Sequence, residues 1–593
     1  MKIKIFITIL FIVLTSNKLF AQEYTLSFPE PQTHYVNVDF KIDNWRGGNL
    51  DIKLPVWAPG SYLVREFSKN LEGLTATQNG NQIKIIHKSK NWWQLTAAKG
   101  SVVISYKIYA NELSVRTSFV DIDHAYLNGS SVFLYTETLS NKPISVRVIP
   151  HPSWKNISVA LNPISDKDPW TVTAPNYDEL IDAPFEIGNQ TVIKFDAAGV
   201  KHEVAMFGEG NFIDEKIKND ISKIVNECVR IFGSHPCKRY VFIVHNLTAG
   251  GGGLEHLNSS TLQTNRWSYG NESSYAGFLS LVAHEYFHLW NVKRLRPIAL
   301  GPFDYSNENY TNMLYVAEGF TAYYDDLIAK RCGFYSESQY LDKLAESISY
   351  CVNHAGASVQ PVSESSFDAW IKFYRPNENS SNATVSYYTK GSIIGAMLDF
   401  IIRKESDGKL SLDDLMKEMY IKYAVQLNRG YTDREFMDMA SKFAGKDLSA
   451  FFANYVYDVK PIPFAEYLNG MGLEIVNLYE STNKSYWGVT TSTNAGKVNV
   501  TVVKRNSPAW KGGINVNDEI IALNNYRAGD DLAKLITNKK VGDTIKVLVS
   551  RSGYLRTFDI VLTKDTDVDY SLIQSNNVDT VKSAIYKKWL AIP

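Results

Sequence analysis

The chain has 593 residues, too many for one hydrophobic core and of a size for three or four domains. Aromatic residues make up 13% of it, with 35 Tyr and 12 Trp, ample material for large cores. The formal net charge is zero, which argues against a nucleic-acid binder, a class that needs a basic surplus, and leaves room for a local charged site.

Residues 1–21 have the layout of a secretory signal peptide. Lys2 and Lys4 give a short basic start, Ile5 to Leu14 an apolar run, and Leu19-Phe20-Ala21 a cleavage site before Gln22. The apolar run is short for a membrane span of roughly 20 residues, so cleavage is expected over anchoring. No later stretch is long and apolar enough to cross a membrane, so the mature chain is expected to be exported, periplasmic or extracellular, with no transmembrane segment. Export permits disulfides among Cys228, Cys237, Cys332 and Cys351 in any of three pairings, which the sequence does not choose among; the most local is Cys228–Cys237 with Cys332–Cys351. No CxxC or CxxH pair is present, so a cysteine zinc site is not expected.

Residues 22–190 alternate as strands do, in runs such as Tyr35-Val-Asn-Val-Asp-Phe and Ser101-Val-Val-Ile-Ser-Tyr, split by turns at Asn79-Gly80 and Asn128-Gly129. This predicts an antiparallel β-sandwich. Within it, Leu54-Pro-Val-Trp57-Ala-Pro59-Gly60-Ser-Tyr62 reads as a rigid structural corner with a packed Trp. Residues 191–468 change pattern. A strand at Tyr240–His245 leads into Gly250 to Gly253, and helical periodicity follows over Ser274–Arg294, Asn312–Lys330, Glu337–Asn353, Ser392–Lys404, Leu412–Tyr423 and Asp433–Ala444. Residues 469–566 are β-rich again, with one short helix near Asp530–Thr537, and the tail 567–593 ends in a helix at Thr580–Leu590.

The chemistry centres on His284-Glu285-Tyr-Phe-His288, inside the second of these segments. On a helix, positions i and i+4 share a face about 6 Å apart along the axis, so both imidazoles can point at one metal ion. Zinc accepts imidazole nitrogen readily, and Glu285, beside the first His, can take a proton from an attacking water. The chain has only 11 histidines, so this arrangement by accident is implausible. A third ligand is found in Glu318, in the apolar run Leu314-Tyr-Val-Ala-Glu318-Gly-Phe320, where an unpaired carboxylate would be costly and a metal removes the cost. Glu308, Asp325 and Asp326 lie in more polar runs that read as exposed. The expected cofactor is one Zn²⁺ per chain.

Two further features fit a peptidase. Gly252 and Gly253 allow a backbone to approach a substrate closely, and Glu255 beyond them can bind a free α-amino group. A hydroxyl from Tyr387 or Tyr388, in Tyr387-Tyr388-Thr-Lys-Gly391, can donate to the oxyanion of a tetrahedral intermediate.

In this order, GGLEH, HEYFH, AEGF and YTKG resemble the gluzincin peptidases, and the wider chain is similar to the glycyl aminopeptidase family M61 of that clan. The corner Pro55-Val-Trp57-Ala-Pro59-Gly60-Ser-Tyr62-Leu-Val-Arg65 and Ser114-Val-Arg116 belong to the same resemblance. It implies a multidomain α+β fold: an N-terminal β-sandwich, a mainly helical thermolysin-like zinc peptidase domain and a C-terminal PDZ-like β domain. It implies zinc ligands at His284, His288 and Glu318, a general base at Glu285, amine recognition at Glu255, oxyanion support from Tyr388, and peptide substrates with small first residues, glycine or alanine. One departure stands out: the acid-bearing motif of related aminopeptidases ends in Asn, and here the residue is His256. The PDZ resemblance rests on Val502 to Gly513 and Val516 to Leu523. It admits either a peptide C-terminus as ligand or a structural role, since the carboxylate loop is poorly kept at Tyr486-Trp-Gly-Val489. Two other activities stay open at this point: an endopeptidase with the same metal site, and a non-catalytic scaffold that binds peptide ends.

Overall fold

A computed structural model of the chain describes residues 20–576 and 578–592, so nearly all of the expected signal peptide lies outside the described residues. The long strands Tyr35–Lys53 and Trp92–Tyr109 form the spine of a nine-stranded sheet. Their register sets Val38 opposite Tyr106, Phe40 opposite Ile104 and Ile42 opposite Val102, all buried. The period-two alternation read from the sequence is thus the inward face of this sheet. Four short strands, Asn156–Ser158, Phe185–Gly188, Ala125–Leu127 and Phe119–Val120, make a second sheet, and the two share one core. This is the expected sandwich with one correction: it is not wholly antiparallel, because Gln22–Ser27 pairs in parallel with Ile144–Ile149.

The next unit opens with a mixed five-stranded sheet in the spatial order Thr191–Ala197, Val200–Phe207, Arg239–Leu247, Ser259–Asn265 and Gly252–Glu255. Gly252–Glu255 is an antiparallel edge strand, as is Thr191–Ala197 at the other side. The Glu272–Phe287 helix lies against this edge and against the Asp214–Phe232 helix. Asn271 caps its start by accepting from the Ser274 amide. The helix expected to reach Arg294 ends at Phe287, and the one expected from Asn312 begins as a π-helical turn, Tyr315–Phe320, before the α-helix Thr321–Arg331. Helices Glu337–Asn353, Asp433–Ala444 and Thr580–Leu590 occupy the expected residues. Tyr387–Glu405 runs through the middle of the bundle and is buried nearly throughout.

The C-terminal region is interleaved. Strand Leu473–Asn477, expected with the PDZ-like segment, pairs with Tyr570–Gln574 of the tail, and Leu473, Leu572 and Trp589 all join the helical core. Between the two strands lies a separate core built on a six-stranded sheet and the helices Pro508–Gly512 and Leu532–Thr537. All four cysteines are free, so neither local disulfide is formed. Cys228 instead points into the core, within electrostatic reach of Cys332. Among the described residues no helix is long and apolar enough to cross a membrane.

Candidate active site

His284 and His288 close the Glu272–Phe287 helix, with His288 at its C-cap. Glu318 comes from the π-helical turn. Its Oε2 lies 3.2 Å from His288 Nε2 and 3.6 Å from His284 Nε2, and one ligand atom from each of the three lies within 4.8 Å of the others. Each imidazole donates its other nitrogen away from this point. His284 Nδ1 donates to Asp325 Oδ2 at 2.8 Å, and His288 Nδ1 to the Asn291 carbonyl at 2.7 Å. With Nδ1 so engaged, the neutral form of each ring presents its Nε2 lone pair towards Glu318, the arrangement in which an outer carboxylate or carbonyl orients a metal-binding histidine. The donor set therefore fits a zinc ion, with two imidazoles, one carboxylate and a buried setting.

Asp325 corrects the expectation that it is exposed: its side chain is only 16% exposed and is committed to His284. Its spacing from Glu318, two helical turns on, was the available signal. Asn291 is a second residue that the sequence did not flag. Its Nδ2 donates to the carbonyls of Val316 and Ala317 and to Thr321 Oγ1, tying the first histidine-bearing segment to the turn that presents Glu318. A π turn inserted in a helix shifts the facing of its side chains, a device often met at functional sites.

The electrostatics follow from burial and crowding. Burial disfavours charge on His284, yet Asp325 and Glu318 hold its pKa well above the ordinary histidine value. The same contest, with Glu318 as the main partner, raises His288. Burial pushes Glu318 up, but the two imidazoles outweigh it and keep the carboxylate ionised. Glu285 goes the other way: burial pushes its carboxyl up to about 7, against the pull of His284 and His288.

Glu255 comes from the edge strand, and its carboxylate, that of Glu285 and a nitrogen of His288 lie within 4.8 Å of one another. Glu255 Oε1 and Glu285 Oε2 are both buried without a hydrogen-bond partner. Glycines make this crowding possible. A side chain at Gly253 would collide with the Glu285 carboxylate, and a Cβ at Gly60 would lie 2.6 Å from Glu255 Oε1. Gly252 has φ of +106° and open space around it. The corner read as purely structural thus has two ends. Trp57 is packed as expected, fully buried and donating to the Asp304 carbonyl at 2.9 Å, while Gly60 and Tyr62 reach the site. Burial and the carboxylates of Glu318 and Glu255 hold the Tyr62 hydroxyl protonated. His256, the departure from the related motif, turns away from the site to Asp182, which also pairs with Lys293.

Of the adjacent tyrosines, Tyr387 is fully buried, with its ring against Phe373. Tyr388 is only partly buried, and its ring lies near that of His284, centroids 6.3 Å apart. After burial itself, Glu318 is the strongest influence on its hydroxyl, which is held protonated and able to donate. A cavity of about 980 Å³ borders the site at Gly60, Tyr62 and Glu255 and continues away from the histidines towards Lys293 and Arg296.

A profile of the peptidase M61 N-terminal domain matches residues 23–189, one of the M61 glycyl aminopeptidase matches 277–394, and one of the PDZ domain matches 485–562. A solved structure from Idiomarina loihiensis, described as an aminopeptidase N family protein, is 31% identical, with a TM-score of 0.89, covering 96% of this chain and 100% of that one. The chain belongs to the M61 glycyl aminopeptidase family. It is a metallo-aminopeptidase by family, with a PDZ domain. More distant matches are an M1 zinc metallopeptidase from Deinococcus radiodurans (12% identity, TM-score 0.47, 74% of this chain and 94% of that one) and yeast LTA4 hydrolase in complex with bestatin (13%, 0.48, 76% and 69%). No curated protein sequence matches the chain.

Proposed function

We propose that the enzyme is a zinc aminopeptidase that removes a small first residue, glycine or alanine, from peptides. His284, His288 and Glu318 would hold the ion. When bound, zinc supplies a Lewis acid that polarises the scissile carbonyl and acidifies water. The protein's own groups carry the remaining work. Glu285 takes a proton from the attacking water and passes it to the leaving amine, a task suited to a carboxyl whose pKa burial has raised. Tyr388 donates to the developing oxyanion. Glu255 receives the substrate's ammonium.

The observation that carries the reading is the pair of unpartnered buried oxygens, on Glu255 and Glu285, within a few ångströms of His288. Two carboxylates so close call for a cation, and a peptide's N-terminal ammonium supplies one while Glu285 keeps its water. Glu255, backed by Gly60, leaves little length between the ammonium and the reacting carbonyl, which favours exopeptidase over endopeptidase action. Tyr62 lines the same cavity as Glu255 and takes up space that a first side chain would need. The PDZ domain offers strand Val489–Asn494 at a sheet edge, suited to adding a peptide strand.

Acetylating the amino terminus of a glycyl substrate is expected to lower kcat/KM by about 100-fold or more, the cost of leaving a buried carboxylate unpaired. Glu255→Gln should remove most of that discrimination. Comparable cleavage of acetylated and free peptides would instead identify an endopeptidase.

A further inference from the structure

Arg65 and Arg116, singled out in the sequence, have no part in the chemistry described so far. Both are only partly exposed. Each has a buried Nε without a hydrogen-bond partner. Arg65 uses one terminal nitrogen on Ser61 Oγ at 3.1 Å, and neither guanidinium has a carboxylate within ion-pair distance among the described residues. The two lie within electrostatic reach of each other, with Glu112 and Tyr374 also near Arg65. Two like charges held together, partly desolvated and unpaired, are unfavourable unless an anion joins them.

Their position is fixed relative to the reaction. The loop that carries Arg116 is tied to the catalytic sheet at two successive points. Gln263 Nε2 donates to the Leu113 carbonyl at 3.2 Å, and Tyr126 donates to the Val115 carbonyl and to Thr261 Oγ1. Gln263 is paired with Gly252 on the edge strand, and Thr261 with Leu254. Within the loop, Ser114 Oγ accepts from the Arg116 amide, and Thr117 Oγ1 donates to the Glu112 carbonyl. The segment leading into Arg116 is therefore tied to the strand that pairs with Gly252–Glu255. A peptide lying along this edge with its ammonium at Glu255 would extend its leaving-group side past Gly252. Tyr374 lies within electrostatic reach of Arg116, Glu318 and Glu255 and pairs with Tyr388.

We infer that Arg65 and Arg116 form a carboxylate-binding subsite on the leaving-group side, so that the enzyme favours short peptides whose carboxylate reaches the pair. The planar fork of a guanidinium matches a carboxylate with two parallel hydrogen bonds. The carboxylate can be the C-terminus of a dipeptide or tripeptide, or an acidic side chain after the cut. This inference rests on the aminopeptidase reading above.

The test compares the zinc-loaded full-length enzyme on Gly-Ala-Ala, its C-terminal amide, Gly-Ala-Glu-amide and glycyl-p-nitroanilide. The expected result is at least a tenfold higher kcat/KM for the free acid than for the amide, mainly through KM. Arg116→Gln and Arg65→Gln should erase that preference while leaving the nitroanilide rate within about twofold. Arg116→Lys, which keeps the charge without the fork, should restore part of it. Recovery with Gly-Ala-Glu-amide assigns the subsite to acidic side chains as well, and no recovery assigns it to the chain terminus alone. Equal rates for acid and amide in the wild type, or variants that slow the nitroanilide as much as the acid, would overturn the inference. Failure to cleave any unblocked substrate would overturn the aminopeptidase reading itself.

Discussion

Glu285 and Glu255 face the same small space, and different protons are asked of them. In the proposed reaction Glu285 accepts a proton from water and gives it to an amine, while Glu255 binds the substrate's ammonium. Replacing Glu285 by Gln keeps the shape and removes the base. Hydrolysis of glycyl-p-nitroanilide is expected to fall by about 100- to 10,000-fold with zinc content unchanged, measured by metal analysis and steady-state rates. The histidines give a second prediction. Their pKa values are raised in the metal-free protein, and zinc takes only neutral imidazole, so binding must displace protons. Zinc affinity should therefore rise with pH until the raised values are passed, with proton release visible in weakly buffered titrations. The metal-free fold should respond in the opposite sense: ion pairing with Glu318 stabilises it fully below the ordinary histidine pKa and is lost as pH rises through the raised values. Asp325→Asn removes the charge that orients His284 and should weaken zinc binding by about 10- to 100-fold in competition with a chelator.

At the scale of elements, the π-helical turn Tyr315–Phe320 and the Tyr387–Glu405 helix meet glycine to glycine. A Cβ at Gly319 would lie 2.5 Å from Gly391 Cα, and one at Gly391 would lie 2.8 Å from the Tyr315 carbonyl oxygen. Both neighbours are backbone, so neither can yield by a change of rotamer. This contact sets Glu318 against Tyr388. Gly319→Ala should cost about 1–3 kcal/mol as overpacking, and should also lower zinc affinity and kcat, because the turn that carries Glu318 moves. A loss of stability with an unchanged metal affinity would show that the contact does not position the site. The same elements show what the sequence makes legible. HEYFH needs only helical spacing, and Glu318 is conspicuous as an acid in an apolar run. The π turn leaves no trace in a 3.6-residue pattern, because it is imposed by Asn291 and by the Gly319–Gly391 approach, both long-range. Gly60 could be read as a turn glycine, but its nearness to Glu255 depends on how two domains dock. That Tyr387 is fully buried while Tyr388 lies near His284 depends on the helix phase, seen only in three dimensions.

For the whole molecule, the order of domains along the chain misleads about which residues fold together. The β pattern from 469 onward is continuous in sequence, yet Leu473–Asn477 and Tyr570–Gln574 are partners in a hairpin-like pair and the PDZ domain is set between them. Alternation reports a strand, not its partner, so this interleaving could not be read from periodicity. It has a consequence for deletion. Asn477 lies directly opposite Tyr570, so a two-residue turn such as Asn-Gly can join them where the PDZ domain is removed. What is lost is a limited set of docking bonds, including Asn382 Nδ2 to the Val503 carbonyl and Asn353 Nδ2 to the Val568 carbonyl. Ending the chain after residue 566 leaves the PDZ domain in place but removes Leu572 and Trp589 from the helical core. Trp589 is fully buried, and its Nε1 donates to the Tyr323 hydroxyl at 2.9 Å. Losing that side chain alone costs about 3–5 kcal/mol, a large share of a typical stability of about 5–15 kcal/mol. The internal deletion of 478–569 is therefore expected to stay soluble and to cleave glycyl-p-nitroanilide within a few-fold of the full chain. The shorter cut, which removes fewer residues, should yield aggregated protein without activity. Soluble, active protein from the truncation, with inactive protein from the internal deletion, would assign the C-terminal strand and helix to the PDZ domain instead.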